Sequence, residues 1–408
     1  MRFLIYLVFF SILTPLLFAQ HTTKEYLEAD TTIVFNDISE FTTSGREKYT
    51  YISYNNKGRF DIVSLSNSQI KSRDIEIYHY DIKTKEIKTT LLSYPKSVFK
   101  DEYYFNGIHS IGDTVILYMS AWINRNHYNE KLLLFDLKEK ALKNEFTYSK
   151  DEIRSINDIL TLSDNKILIC SGYLAQQKLE SKFLKLSILN LSNGRIEKQI
   201  NKSLPYAGLS YISKNLQVAI TDNSILFTEL GNYTIYEYDF NLRQINTIKG
   251  HGEWKTFPKK VMKNVLSKHK QPIDRIYKLS EYWHDYNRIF RIYAEGNILY
   301  VFYNKPQQLY GTLDVWKKED EKWQLIKENI EDYIGDWGDV KGVRNIINHT
   351  SPFLLFKDKK IFSFGFGIPL RLEQVRVMTN EEIKTYMEEY LLENDNVLLL
   401  DVFKSKLQ

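Results

Sequence analysis

One cysteine, eight prolines and seventeen glycines among 408 residues exclude several classes of protein at once. The lone thiol, Cys170, cannot form an intramolecular disulfide, so a buried core must hold the fold. The scarcity of Gly and Pro excludes collagen-like and linker-rich chains. Lys and Arg (55) nearly balance Asp and Glu (51), for a formal net charge of +4. No stretch is basic enough to track a phosphate backbone, so nucleic acid is not expected as a partner. Beyond the N-terminus no run approaches the roughly 18 apolar residues of a membrane span. No HExxH, GxSxG or P-loop motif occurs, and the eight histidines are scattered without zinc-ligand spacing.

The first 19 residues, MRFLIYLVFFSILTPLLFA, place Arg2 before an apolar run and small Ala19 before Gln20. This pattern predicts a cleaved signal peptide over 1–19, and an exported protein, periplasmic or extracellular. No cysteine follows the run, so no lipoprotein anchor is indicated, and no transmembrane span should remain after cleavage. Cys170 sits in the strand-like KILICSGY and reads as a buried, inert thiol.

Aromatic residues are abundant, with 29 Tyr, 23 Phe and 6 Trp, which favours strands. An apolar strand ending in Asp or Asn, a polar turn and a second strand recur at Asp81, Asp136, Asn190 and Asp239, with weaker copies at Asp314 and Asp401. The spacings are 55, 54, 49, 75 and 87 residues. Strand repeats of about 40–50 residues signal a propeller. Upstream of each copy an Asn/Asp/Gly turn marks a second hairpin, such as NNKG at 55–58 and EGN at 295–297. The units fall at about 47–95, 104–148, 155–201, 208–249, 287–328 and 350–408. Asp81, Asp136, Asn190 and Asp239 read as turn caps. A strand at 31–39 is expected to complete the last unit and close the ring. The expected class is all-β: a six-bladed β-propeller of four-stranded antiparallel blades, one domain over 31–408, with helical insertions at 258–285 and 379–393.

On this period and turn pattern the chain resembles the secreted six-bladed β-propellers of bacterial envelopes, of the TolB-like and NHL-like kind. The resemblance spans nearly the whole mature chain and is architectural. No WD dipeptide, kelch Gly-Gly or Asp-box accompanies it, and fold does not fix function.

The long connections, among them 121–130, 174–181, 250–286, 329–349 and 366–396, should all emerge on one face of the ring. Long loops on a rigid scaffold are where binding residues concentrate. Thr379 and Glu382 have capping-box spacing ahead of an apolar stripe, and Pro258 suits a helix start. The 258–285 insertion is expected to form a helical hairpin or lid. The insertions carry HGEW (His251, Glu253, Trp254), EYWHDY (Glu281, Trp283, His284, Asp285) and GDWGD (Asp336, Trp337, Asp339). Aromatic faces stack on ligands and polar groups orient them. Trp254, Trp283, His284, Asp336, Trp337 and Asp339 are therefore the candidate ligand-binding residues. Asp336 and Asp339 also have the composition of a glycosidase carboxyl pair or of a Ca²⁺ loop, without the EF-hand pattern. The expected function is non-catalytic recognition of a glycan, a peptide or an envelope protein by a monomer without a cofactor. The alternative is a propeller enzyme, a glycan hydrolase or lyase or a metal-dependent lactonase-like hydrolase, with acids at the channel mouth.

Overall fold

In a computed structural model of the protein, the described residues are 27–35, 48–66, 74–93, 102–124, 127–153, 156–172, 183–203, 218–229, 231–269, 285–306, 311–331, 353–367 and 397–407, with isolated positions within 274–282 and 379–386. The expected signal peptide lies outside them. Strand β1 is Leu27–Phe35. Blade 1 comprises β2 (Lys48–Asn55), β3 (Arg59–Ser66), β4 (Asp74–Asp81) and β5 (Ile87–Ser93). Blade 2 follows with β6 (Glu102–Ile111), β7 (Thr114–Asn124), β8 (His127–Asp136) and β9 (Ala141–Ser149). Blade 3 holds β10 (Ile156–Ser163), β11 (Lys166–Gly172), β12 (Phe183–Asn190) and β13 (Arg195–Ser203). In blade 4 are β14 (Val218–Ile220), β15 (Ile225–Glu229), β16 (Asn232–Tyr238) and β17 (Gln244–Lys249). Helix α1 (Lys259–Lys268) precedes blade 5, which is β18 (Arg288–Glu295), β19 (Ile298–Asn304), β20 (Thr312–Glu319) and β21 (Lys322–Glu331). The last strands are β22 (Phe353–Lys357), β23 (Lys360–Gly367) and β24 (Val397–Ser405).

Each of the six sheets has four antiparallel strands in sequence order, with one exception. The sixth runs β22-β23-β24-β1, so the N-terminal strand supplies its outer edge. Leu27 pairs with Ser405 and Phe35 with Leu398, and the Thr32 hydroxyl donates to Asp401 Oδ1 at 2.7 Å. The first strands of successive blades neighbour one another around the axis, β22 returning to β2. Residues 36–39 of the expected closing strand lie outside the described ones.

Both faces of every blade are apolar, and the core is accordingly divided into six clusters, one per pair of adjacent blades. Val63 and Ile77 of blade 1 meet Leu117 and Leu133 of blade 2. Leu226 and Ile235 of blade 4 meet Leu299 and Val301 of blade 5. This two-sided burial explains why β19 is buried along its whole length. The turn acids act as their sequence suggests. Asp81 Oδ1 accepts the Lys83 and Thr84 N–H groups at 2.8 and 2.9 Å, and Asp239 Oδ1 those of Asn241 and Arg243, both at 2.8 Å.

First-to-second and third-to-fourth strand connections all lie at one end of the ring and are two to five residues long, as at 112–113 and 239–243. Second-to-third and blade-to-blade connections start and finish at the other end, and include 173–182, 204–217, 250–287, 332–352 and 368–396. One expected long connection, 121–130, is instead hairpin. Trp122 pairs with Tyr128, and only residues 125–126 link β7 to β8, because β-forming Trp122, Ile123 and Tyr128 extend the pairing. Among the described residues helix is a minor component, at 6% against 68% strand.

Phe35, 1% exposed, packs edge-on to Tyr80 of blade 1 at 5.7 Å and stacks on Phe364 at 6.0 Å. Phe35→Ala should therefore cost about 3–5 kcal/mol of unfolding free energy in a denaturant titration. An unchanged midpoint would mean that the outer strand does not close the ring.

Candidate functional site

The long-connection end carries a cleft of about 770 Å³ between blades 4 and 5. It sits on the apolar cluster these blades share, and Tyr233, His251, Trp254, Asn287, Tyr303 and Asn329 are among its walls. Its floor is organised by Asp314, which has no solvent exposure. Tyr233 donates to Asp314 Oδ2 at 2.7 Å, and His251 Nε2 lies 2.8 Å from the same oxygen. Oδ1 accepts the Asn329 N–H at 2.8 Å and has the Tyr303 hydroxyl at 3.2 Å. Trp316 Nε1–H donates to the Tyr233 oxygen at 2.9 Å. His251 Nδ1 lies 2.8 Å from Glu328 Oε2. A buried carboxylate demands this many donors, because each unmet lone pair keeps its desolvation cost.

Local sequence builds the knot. Between the pairs Leu313–Ile330 and Val315–Lys327, Asp314 alone faces both Glu328 and Asn329, a β-bulge. Asn329 takes φ 54°, a left-handed conformation that Asn tolerates better than most residues. The bulge turns the Asn329 N–H toward Asp314 and Glu328 toward His251. Two glycines fix His251. A Cβ on Gly250 would lie 2.1 Å from Tyr233 Cγ, and Gly252 has φ 68°. The Gly250 N–H also donates to the Tyr233 carbonyl at 2.9 Å.

Trp254 follows on this pinned segment. Its ring meets Tyr233 at 5.1 Å and Tyr303 at 5.6 Å, and its N–H donates to the Gly231 carbonyl at 3.2 Å. Next to it the chain is clasped. The Lys255 N–H donates to Asn287 Oδ1 at 2.8 Å, and the Asn287 N–H donates to the Lys255 carbonyl at 3.0 Å. This clasp closes the neck of the 256–286 excursion. Within the excursion Phe257 is fully buried against Tyr286, and Val265 seats α1. Helix α1 begins after Pro258, as expected. Asp274, Lys278 and Tyr282 are helical and exposed.

Of the six candidate residues, Trp254 is the one the structure places in the cleft. Trp283, His284, Asp336, Trp337 and Asp339 lie outside the described residues, and with them the GDWGD string considered for Ca²⁺. Among the described residues no group of three or more His, Cys, Asp and Glu is placed to hold a metal ion. The Thr379–Glu382 capping box forms. The Glu382 carboxylate accepts the Thr379 N–H at 2.7 Å, and the Glu382 N–H donates to Thr379 Oγ1 at 3.3 Å.

The two weaker copies need correction: Asp314 and Asp401 do not end their strands but lie inside them and are buried, one in the knot, the other bonded to Thr32. For Asp314 a signal existed. Its spacing from Asp239 is 75 residues, and Val315–Glu319 separate it from the next turn. Tyr233, Tyr303 and Glu328 had none, since each belongs to an ordinary strand run, and Asn287 is one polar residue at the end of a long connection.

Burial and the charge of Asp314 push the Tyr233 phenol well above its ordinary value. The hydrogen bond to Asp314 raises His251 above its usual 6.5, against the opposing effect of burial. Elsewhere at this end, Asp158 on β10 is pushed up to about 7 by burial, while the Ile159 N–H and the charge of Arg291 act downward. Its Oδ2 is buried without a hydrogen-bond partner.

Two pH effects follow. A histidine with a raised folded pKa contributes stability that is fully present below its unfolded value of about 6.5 and is lost as pH rises through the folded one. Relative to wild type, His251→Asn should melt markedly lower at pH 6, by about 1–3 kcal/mol, with the gap closing toward pH 9. For Asp158 the sign reverses: its raised pKa makes ionisation destabilising between about pH 4 and 7. Asp158→Asn should raise the melting temperature at pH 8 and have little effect at pH 4, by differential scanning calorimetry.

No protein-family model matches the chain, and no curated protein matches it. Solved structures resemble it in fold. A DUF4221 family member from Bacteroides vulgatus matches with a TM-score of 0.46 and 11% identity, over 93% of this chain and 98% of its own. A subtype N11 neuraminidase-like protein of A/flat-faced bat/Peru/033/2010 gives a TM-score of 0.40 at 6% identity, over 93% and 94%. TolB from Acinetobacter baumannii gives 0.30 at 12%, over 75% and 64%. At these identities the likeness is of architecture alone, and it is the chain's own six four-stranded sheets that make it a six-bladed β-propeller.

Proposed function

We propose that the protein is an exported, non-catalytic recognition propeller. It binds a glycan, a peptide or an envelope protein at its long-connection end, in the cleft between blades 4 and 5. The observation that carries this reading is the cleft itself, with aromatic walls over a floor of fully engaged polar groups. A ligand there meets rigid ring faces and a few oriented polar atoms, the composition of small-molecule and saccharide sites.

The same hydrogen bonds argue against turnover. A general base needs a free lone pair, and a general acid a proton it can release. Both ring nitrogens of His251 face carboxylates, the Tyr233 hydroxyl both donates and accepts, and Asp314 is saturated. Among the described residues a second Asp–His contact is likewise engaged. His79, 8% exposed, spans Asp61 and Thr90 at 2.6 and 2.9 Å across three neighbouring strands of blade 1. Export is supported by the signal-peptide pattern of residues 1–19. Among the described residues no helix is long and apolar enough to cross a membrane.

The test is a ligand screen by thermal shift on the intact chain, paired with turnover assays on the same compounds. A ligand should raise the melting temperature and remain unconverted. Asn287→Ala, which opens the Lys255 clasp, should weaken it by about tenfold or more. Lys138→Ala, exposed at the opposite end, should leave binding unchanged. Binding indifferent to Asn287, or conversion of the ligand, would overturn the reading.

A further inference from the structure

We propose that the cleft takes a neutral glycan, with one pyranose ring stacked on the partly buried Trp254 and neighbouring hydroxyls bridging Glu253 and Lys255. This rests on the cleft being the binding site and names the class of molecule that fills it.

The indole is prepared for stacking. Tyr233 and Tyr303 hold the Trp254 ring from within, and its N–H is spent on the Gly231 carbonyl. What remains to offer is the π-face on the cleft side. The C–H-rich face of a pyranose matches such a surface, and burying it costs no unmatched hydrogen bond.

The flanking charges define the polar part. Glu253 and Lys255 both line the cleft and are exposed. Among the described residues neither side chain has an ion-pair or hydrogen-bond partner, and the Lys255 ammonium rests over the Tyr286 ring at 5.2 Å. Being two residues apart, their Cα atoms are within about 7 Å of each other. Lys305 also lines the cleft and has an interaction of its own, whereas at the Glu253–Lys255 pair a cationic or anionic ligand meets one attraction and one repulsion. A hydroxyl has no such conflict, because it donates to the carboxylate and accepts from the ammonium. Vicinal hydroxyls therefore satisfy both groups without net charge. Asn287, 5% exposed, also lines the cleft; its carbonyl oxygen is already taken by the Lys255 N–H, so the amide N–H₂ is the side chain's remaining polar group.

A peptide fits this chemistry less well. Extended peptides bind by adding hydrogen bonds along an open backbone edge. At Lys255 both backbone groups are already paired with Asn287, so the wall beside Trp254 presents no edge to extend.

The experiment is isothermal titration calorimetry on the full chain with three panels: neutral oligosaccharides (gluco-, manno- and xylo-), uronate oligosaccharides, and tripeptides. The expected result is binding of at least one neutral oligosaccharide. Trp254→Ala should weaken it by about tenfold or more, and Trp254→Phe by much less. Glu253→Ala and Lys255→Met should each weaken it several-fold at an unchanged melting temperature, a readout that survives even if Trp254→Ala fails to fold. Binding confined to uronates or peptides, yet sensitive to the Asn287 clasp, overturns the neutral glycan while leaving the cleft as the site. Binding unaffected by Glu253, Lys255 and Asn287 variants overturns both. Absence of binding by every neutral oligosaccharide overturns the glycan assignment.

Discussion

A four-stranded sheet with two apolar faces cannot bury both by itself, and everything else in this molecule follows from that constraint. Each blade covers one face with the blade before it and the other with the blade after it. Six such interfaces close the ring, and the last needs a strand from the far end of the chain. Because neighbouring strands are antiparallel, the connections sort by type to opposite ends. One end is fixed by tight turns capped by Asp and Asn. The other is released from the hydrogen-bond ladder and free to carry insertions.

The interface between blades 4 and 5 departs from its apolar neighbours. Two buried acids cross it. Glu237 accepts bonds from Ser224, Trp323 and Lys318 near the tight-turn end. Asp314 gathers Tyr233, His251 and Asn329 near the other. A buried carboxylate fully supplied with donors adds orientation more than stability. Here the orientation matters, because His251 leads directly into Trp254 and the Lys255–Asn287 clasp. The knot thus fixes the wall on which a ligand would lie. The cost of the arrangement is confined to short stretches: a bulge at Glu328–Asn329, a left-handed Asn329, and glycines either side of His251.

Much of the fold was legible in the sequence. The period of turn acids, the Asn/Asp/Gly hairpins and the continuous apolar strands are local signals, set by side-chain caps and by two-sided burial, and Asp81, Asp136 and Asp239 cap the turns where the pattern placed them. The capping box at Thr379 is equally local. The site was legible only in part. Trp254 and its neighbours His251 and Glu253 stood out as aromatic, basic and acidic residues in a long connection. Asp314 was placed at a strand end, as a weaker copy of the repeat, because its strand shares the apolar–Asp pattern of the others.

The sequence by itself determined the blade count, the tight-turn chemistry and the grouping of long connections, since these depend on residues close together along the chain. Only the tertiary structure decided which of those residues form a cleft. Tyr233, His251 and Asp314 lie up to 81 residues apart and meet because two blades pack face to face. Their hydrogen bonds depend on that packing and on a single bulge, which no spacing along the chain encodes.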